Sequence, residues 1–158
     1  MAKVETDVRG PDLSAPGGLG LHGEAASEID RPPAAPDYFV ERDGVRFAGM
    51  HLLVDMWGAA HLSNQEVIGK ALTRAAEAAG AAVLHIHLHR FTDSGGISGV
   101  ALLAESHISI HTWPERGFAA VDIFMCGACD PRDALPVLED VFRPRDFRVT
   151  EQRRGLAG

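Results

Sequence analysis

Two serines, two histidines and two glutamates fall within Glu105-Ser106-His107-Ile108-Ser109-Ile110-His111-Thr112-Trp113-Pro114-Glu115, in an otherwise apolar neighbourhood. A serine hydroxyl is a weak nucleophile until a base takes its proton or its target is polarised, and a neutral imidazole is the side chain suited to that near pH 7. Cys126 and Cys129 follow, spaced as in a redox pair and ahead of a possible helix start that would lower a thiol pKa. A third set, His85, His87 and His89, alternates along an apolar run. On a strand these imidazoles would stand about 7 Å apart on one face. A metal site needs three or four ligands in a defined geometry, and no carboxylate or cysteine completes this set. They read as histidines on a polar or interfacial sheet face, and no metal is expected.

These groups need rigid elements to position them. Period-two alternation predicts strands over residues 47–57, 81–91, 97–104 and 118–125, with a last, charged strand over 145–153. In the second of these, Val83 shares a face with the three histidines. Ser63-Asn64-Gln65-Glu66 has the pattern of a capping box and opens a helix that stops at Gly80. A second helix starts near Asp133, with Pro136 in its first turn, and ends about Phe142. Short strand-to-strand links imply an antiparallel sheet with both helices on one face, an α+β two-layer protomer. Along an ideal strand His107, Ser109 and His111 face away from Ser106, Ile108 and Ile110. A regular strand would therefore separate Ser106 from His111, so an irregular, strained turn is expected at Glu105-Ser106.

A chain of 158 residues, 46% apolar and 23% charged, suits one globular domain. Its formal charge of −7 argues against nucleic-acid binding, which needs a basic face. No apolar run is long enough for a membrane span and the N-terminus lacks a signal-peptide pattern, so a cytoplasmic protein is expected. Two cysteines are too few for a secreted disulfide framework. Residues 1–46 hold five of the nine prolines and no apolar period, which predicts a disordered extension ahead of a domain at 47–155.

Ala104 to Glu115, followed by Gly117-Phe118-Ala119-Ala120-Val121-Asp122-Ile123-Phe124-Met125-Cys126-Gly127, resembles the small prokaryotic S-adenosylmethionine decarboxylase proenzymes. His51-Leu52-Leu53-Val54-Asp55, His89-Arg90-Phe91 and Gly96-Ile97-Ser98-Gly99 extend the resemblance over residues 49–155. It implies a chain that cuts itself between Glu105 and Ser106. Ser106 attacks the Glu105 carbonyl to give an ester, and loss of its α-proton then expels Glu105 as a carboxylate. Dehydroalanine results, then ammonia and a pyruvoyl group that takes the substrate amine as a Schiff base. By the same resemblance His111 is the processing base, Ser98 an assistant of processing that hydrogen-bonds near the scissile bond, and Cys126 the proton donor of turnover. Phe91 and Glu115, with Ile108 packing beside them, would bind the base and ribose of S-adenosylmethionine. The family pairs protomers sheet to sheet, which implies a homodimeric αββα sandwich serving polyamine synthesis. Residues 56–61 depart from the family's usual stretch, and relatives decarboxylate ornithine or arginine with the same pyruvoyl machinery. Retention of Glu115 favours the adenosyl substrate. Two further readings stay open: an unprocessed homologue acting by binding alone, and independent redox chemistry at Cys126 and Cys129.

Overall fold

The computed structural model describes residues 38–157. Expected disorder over residues 1–37 lies outside them. The fold itself begins ahead of residue 47, because Val40–Arg42 forms strand β1 and turns through Asp43 and Gly44, both at positive φ, into β2, Val45–Trp57. Polar contacts pin this hairpin: Arg42 Nη1 lies 2.9 Å from Asp130 Oδ2, and Arg153 Nη2 2.6 Å from Asp43 Oδ2. Charged partners distant in sequence leave no apolar period to read, which is why residues 38–46 resemble a tail.

After β2 come α1 (Gln65–Ala78), β3 (Val83–Arg90), β4 (Ile97–Leu103), β5 (Ser106–Trp113), β6 (Phe118–Cys126), α2 (Leu135–Phe142) and β7 (Asp146–Leu156). All strands join one antiparallel sheet in which β2, β6, β5, β4 and β3 are successive neighbours. Phe47 on β2 pairs with both Val40 and Leu156, so β1 and β7 lie on opposite edges of β2.

The α1 N-cap is Asn64, one residue later than a capping box at Ser63 would place it. Its side chain accepts the Val67 N–H at 3.1 Å, and Glu66, instead of reaching back to the cap, pairs with Lys70 at 2.6 Å. At the other end Gly80, at φ 79, donates to the Glu77 carbonyl and Ala81 to that of Ala76, which closes the last turn. Asp130 caps a short 3-10 turn, Pro131–Ala134, that runs into α2 with Pro136 in its first turn.

Alternation divides the sheet into two faces. Leu52, Val54 and Met56 of β2, Ile108 and Ile110 of β5, and Val121, Ile123 and Met125 of β6 form the core with Ile68, Leu72, Leu138 and Phe142 of the helices. The opposite face carries no helix and leaves Leu53, Trp57, Val100, Leu102 and Trp113 exposed. At β3 the alternation slips. A bulge at Leu84 lets Val83 pair with Leu103 and His85 with Leu102, so Val83 packs on the core while the three histidines stay on the open face. No helix among the described residues is long and apolar enough to cross a membrane.

Candidate active site

Strands β4 and β5 are joined by Ala104-Glu105, and Leu103 pairs with Ser106 across the turn. The Ala104 N–H donates to the Ala82 carbonyl at 2.9 Å, so the turn is tied to the start of β3. Glu105 sits at φ 61. A left-handed conformation costs a residue with a Cβ about 1–2 kcal/mol. The strain expected from strand parity is therefore present, immediately before the Glu105–Ser106 peptide bond.

Ser106 is buried. The β5–β6 ladder ends at the pair His107 and Phe124, and beyond it the Cys126 N–H donates to Ser106 Oγ at 3.1 Å. That bond fixes the hydroxyl beside its own peptide. Cys126 lies in the same place: burial first, then the nearby Glu105 carboxylate and Cys129, push its thiol above the ordinary value. A thiol raised in this way stays protonated at neutral pH. Cys129 is free, donating weakly to the Gly80 carbonyl at 3.4 Å.

His111 lies elsewhere. It pairs with Ser98 across β5 and β4, and Ser98 Oγ is hydrogen-bonded to His111 Nδ1 at 2.8 Å. With the ring proton on Nδ1, this bond orients the imidazole and leaves Nε2 without a proton. Yet the dyad is on the open face, whereas Ser106 shares the core-facing parity of Ile108 and Ile110. Ser106 and His111 are five strand positions apart, roughly 16 Å. A single chain does not bring them together.

Phe91 and Glu115 gather at the dyad's end of the sheet. Phe91 donates its N–H to the Gly96 carbonyl at 2.9 Å, and Gly96 is so close to β5 that an added Cβ would stand 2.7 Å from the Thr112 carbonyl oxygen and 3.5 Å from Pro114. Glu115 follows in the 3-10 turn Pro114–Arg116. Beside them runs an aromatic series invisible as a unit in the sequence: Trp113 and Phe118 have ring centroids 5.3 Å apart, and Phe118 and Trp57 4.4 Å. The His89 ring meets Phe91 edge-on at 4.8 Å. Ile108 is the exception among the expected substrate contacts. Its side chain is fully buried in the helix-covered core, because parity with Ser106 turns it away from the open face. It packs the sheet and does not line this surface.

A polar cluster occupies the middle of the open face. Ser109 Oγ donates to Asp122 at 3.2 Å, and His51 Nε2 lies 3.4 Å from the other carboxylate oxygen without hydrogen-bond geometry. Burial and the neighbouring His51 hold His107 below the ordinary histidine value, against the pull of Asp122. His85, His87 and His89 are exposed, and among the described residues no group of three or more histidines, cysteines or carboxylates comes together as a metal site.

Sequence reading missed Tyr38. Its carbonyl oxygen accepts the Gly127 N–H at 3.1 Å, and the Glu105 carboxylate, by charge and by a hydrogen bond, holds its hydroxyl above the usual tyrosine value. Only the hairpin contacts, made through charged partners far along the chain, could reveal it.

Residues 50–155 match the family model for S-adenosylmethionine decarboxylase. The chain is 43% identical over 114 residues to the S-adenosylmethionine decarboxylase proenzyme of Methanococcus aeolicus, covering 70% of this chain and 97% of that protein. The proenzyme of Thermomicrobium roseum is 39% identical over 109 residues, covering 68% and 94%. In structure the chain resembles the adenosylmethionine decarboxylase of Aquifex aeolicus, with a TM-score of 0.61 and 32% identity over 71% of this chain and 94% of that one. With a family model spanning most of its length and relatives matched almost end to end, this chain belongs to the S-adenosylmethionine decarboxylase family.

Proposed function

We propose that this protein is a self-processing S-adenosylmethionine decarboxylase, cut between Glu105 and Ser106, and that it works as a homodimer. One observation carries the processing step: a left-handed Glu105 in a two-residue turn, followed directly by a buried serine whose oxygen is held by the Cys126 N–H. These residues fit a pyruvoyl group made from Ser106. That group supplies an electron sink for the breaking bond between Cα and the carboxylate of an amino acid. Cys126 would supply the proton that replaces carbon dioxide, in keeping with a thiol held protonated.

The homodimer answers a geometric problem. Ser106 and Cys126 lie at one end of β5 and β6, while Ser98, His111, Phe91 and Glu115 are at the other. Exposed Leu53, Val100, Leu102, Trp57 and Trp113 make the open face a surface in need of cover. Two copies laid face to face about a two-fold axis, strands opposed, set the Ser106 end of one over the His111 end of the other. Each of two equivalent sites then has Ser106 from one chain and His111 from its partner, which would reach the Ser106 α-proton from the open face while the hydroxyl stays on the core side. The aromatic series and Glu115 suit a substrate with a flat base, a sulfonium and a ribose diol.

Intact mass before and after phenylhydrazine, with Ser106→Ala as control, tests the cofactor. Fragments 1–105 and 106–158, the second blocked by a group that reacts with the reagent, are expected. Carbon dioxide should then be released from S-adenosylmethionine. Release only from ornithine or arginine would overturn the substrate, and a single uncut chain would overturn the mechanism.

A further inference from the structure

Ser106 and His111 stand on the same strand, β5, and this fixes where a second copy must turn. A two-fold axis normal to the sheet that exchanges positions 106 and 111 of two opposed β5 strands crosses β5 midway, between Ile108 and Ser109. Ile108 is buried in the core, so Ser109 is the open-face residue nearest that axis. Its paired neighbours are Val100 of β4 on one side and Asp122 of β6 on the other.

Ser109 ends a polar row that crosses four strands. Arg154 Nη1 of β7 lies 3.3 Å from His51 Nδ1 of β2, and His51 Nε2 lies 3.4 Å from Asp122 Oδ1 of β6. Ser109 Oγ of β5 donates to Asp122 Oδ2 at 3.2 Å. A guanidinium only donates, so Nδ1 accepts, the ring proton sits on Nε2 facing the carboxylate, and the imidazole carries no charge. Arg154 is then the cation of the row and Asp122 its anion. Nε2 is shut off from solvent without a hydrogen-bond partner, while the Asp122 side chain keeps 36% of its surface exposed.

We propose, resting on the homodimer reading above, that this row is the polar centre of the contact between two copies: the axis passes beside Ser109, and Arg154, acting through His51, compensates the Asp122 carboxylate that the partner covers. Rotation about that axis sets β6 of one copy over β4 of the other, whose open face carries the exposed side chains of Val100 and Leu102. Water leaves the carboxylate and apolar groups replace it. A carboxylate so covered needs hydrogen bonds and an opposite charge. Ser109, the imidazole N–H and the guanidinium behind it supply them.

Full-length chain carrying Ser106→Ala, which stays whole, serves both tests. Ser109→Asp and Ser109→Lys oppose like charges at the axis when a chain pairs with itself and opposite charges when the two are mixed. Each alone should dimerise more weakly than the parent by sedimentation velocity, and native mass spectrometry of the mixture should find mixed dimers well above chance. Thr150 of β7, exposed and three strands from the axis, is the control. Its two copies would lie about 29 Å apart by strand spacing, and the same charges there should pair at chance. Arg154→Met should raise the dimer dissociation constant by roughly 30-fold or more, and adding Asp122→Asn should recover most of the loss. In the dissociated chain these changes should leave the thermal midpoint in place, and a fall there would make the row part of the fold and not of the contact. Mixed dimers at chance would overturn the axis beside Ser109, and an unchanged dissociation constant in Arg154→Met would overturn the relay; either leaves the homodimer standing. A chain that sediments as a monomer at every concentration would remove the homodimer reading and this inference with it.

Discussion

Ser106 and His111 lie five positions apart on one strand with their side chains on opposite faces of the sheet, so the nucleophile and its expected base cannot meet within a protomer. Ser98, bonded to His111 at 2.8 Å, goes with the base and not with the nucleophile. Complementation between two inactive chains follows as an expectation. When Ser106→Ala and His111→Ala chains are co-expressed with different tags, the His111→Ala chain should be cut, its Ser106 served by the other chain's histidine. Alone it should stay whole. Intact mass reads the outcome, and a His111→Ala chain that remains uncut in the mixed dimer would contradict a shared site.

The raised thiol of Cys126 sets the sign of a pH dependence. A proton donor is lost as pH rises through its pKa, and burial together with the Glu105 charge moves that point above the ordinary value of 9.0. Decarboxylation by the processed enzyme should therefore show no loss from this group at neutral pH and decline only above about pH 9. Cys126→Ser, a far weaker acid, should lower kcat by about 10²–10⁴-fold. A falling limb well below pH 9 that disappears in Cys126→Ser would count against the assignment.

Phe91 and Glu115 are brought to one end of the sheet by Gly96 and the turn after β5. Phe91→Ala should raise KM for S-adenosylmethionine by roughly 5- to 100-fold, the range of a lost base-stacking contact. Glu115→Gln should raise it about tenfold through loss of a charged acceptor for the ribose. Neither change should affect the extent of cleavage by mass. Ile108→Val, by contrast, should leave KM unchanged and cost about 0.5–1.5 kcal/mol of stability, as a core truncation.

Thr112 holds the site end of the sheet together. Its buried hydroxyl donates to the Leu62 carbonyl at 2.8 Å and accepts the Ile97 N–H at 2.7 Å, joining the loop before α1 to β4 and β5. Thr112→Val preserves the shape and leaves both backbone groups unpaired. Urea denaturation should report a loss of about 1–3 kcal/mol.

Strands β2 to β7, both helices and the two-layer arrangement were legible in the sequence, whereas β1 fell in the expected tail, because the legible elements carry their own period: alternation for β2 and β4 to β6, helical spacing for α1, and turn residues between them. Even the strain at Glu105 could be anticipated, since parity alone separates Ser106 from His111. Local pattern could not show where parity slips, as at the Leu84 bulge, nor that Asn64 outcompetes Ser63 as a cap, because both depend on backbone hydrogen bonds that pattern does not encode. The chain's residues thus determined the chemistry available, a serine, a base and a thiol at set spacings. Tertiary structure decided which of them share a place. Strand register sets Ser106 Oγ on the Cys126 N–H while sheet facing turns it away from His111, and ion pairs between distant residues hold the hairpin that follows Tyr38, a stretch that, read locally, has no reason to be ordered.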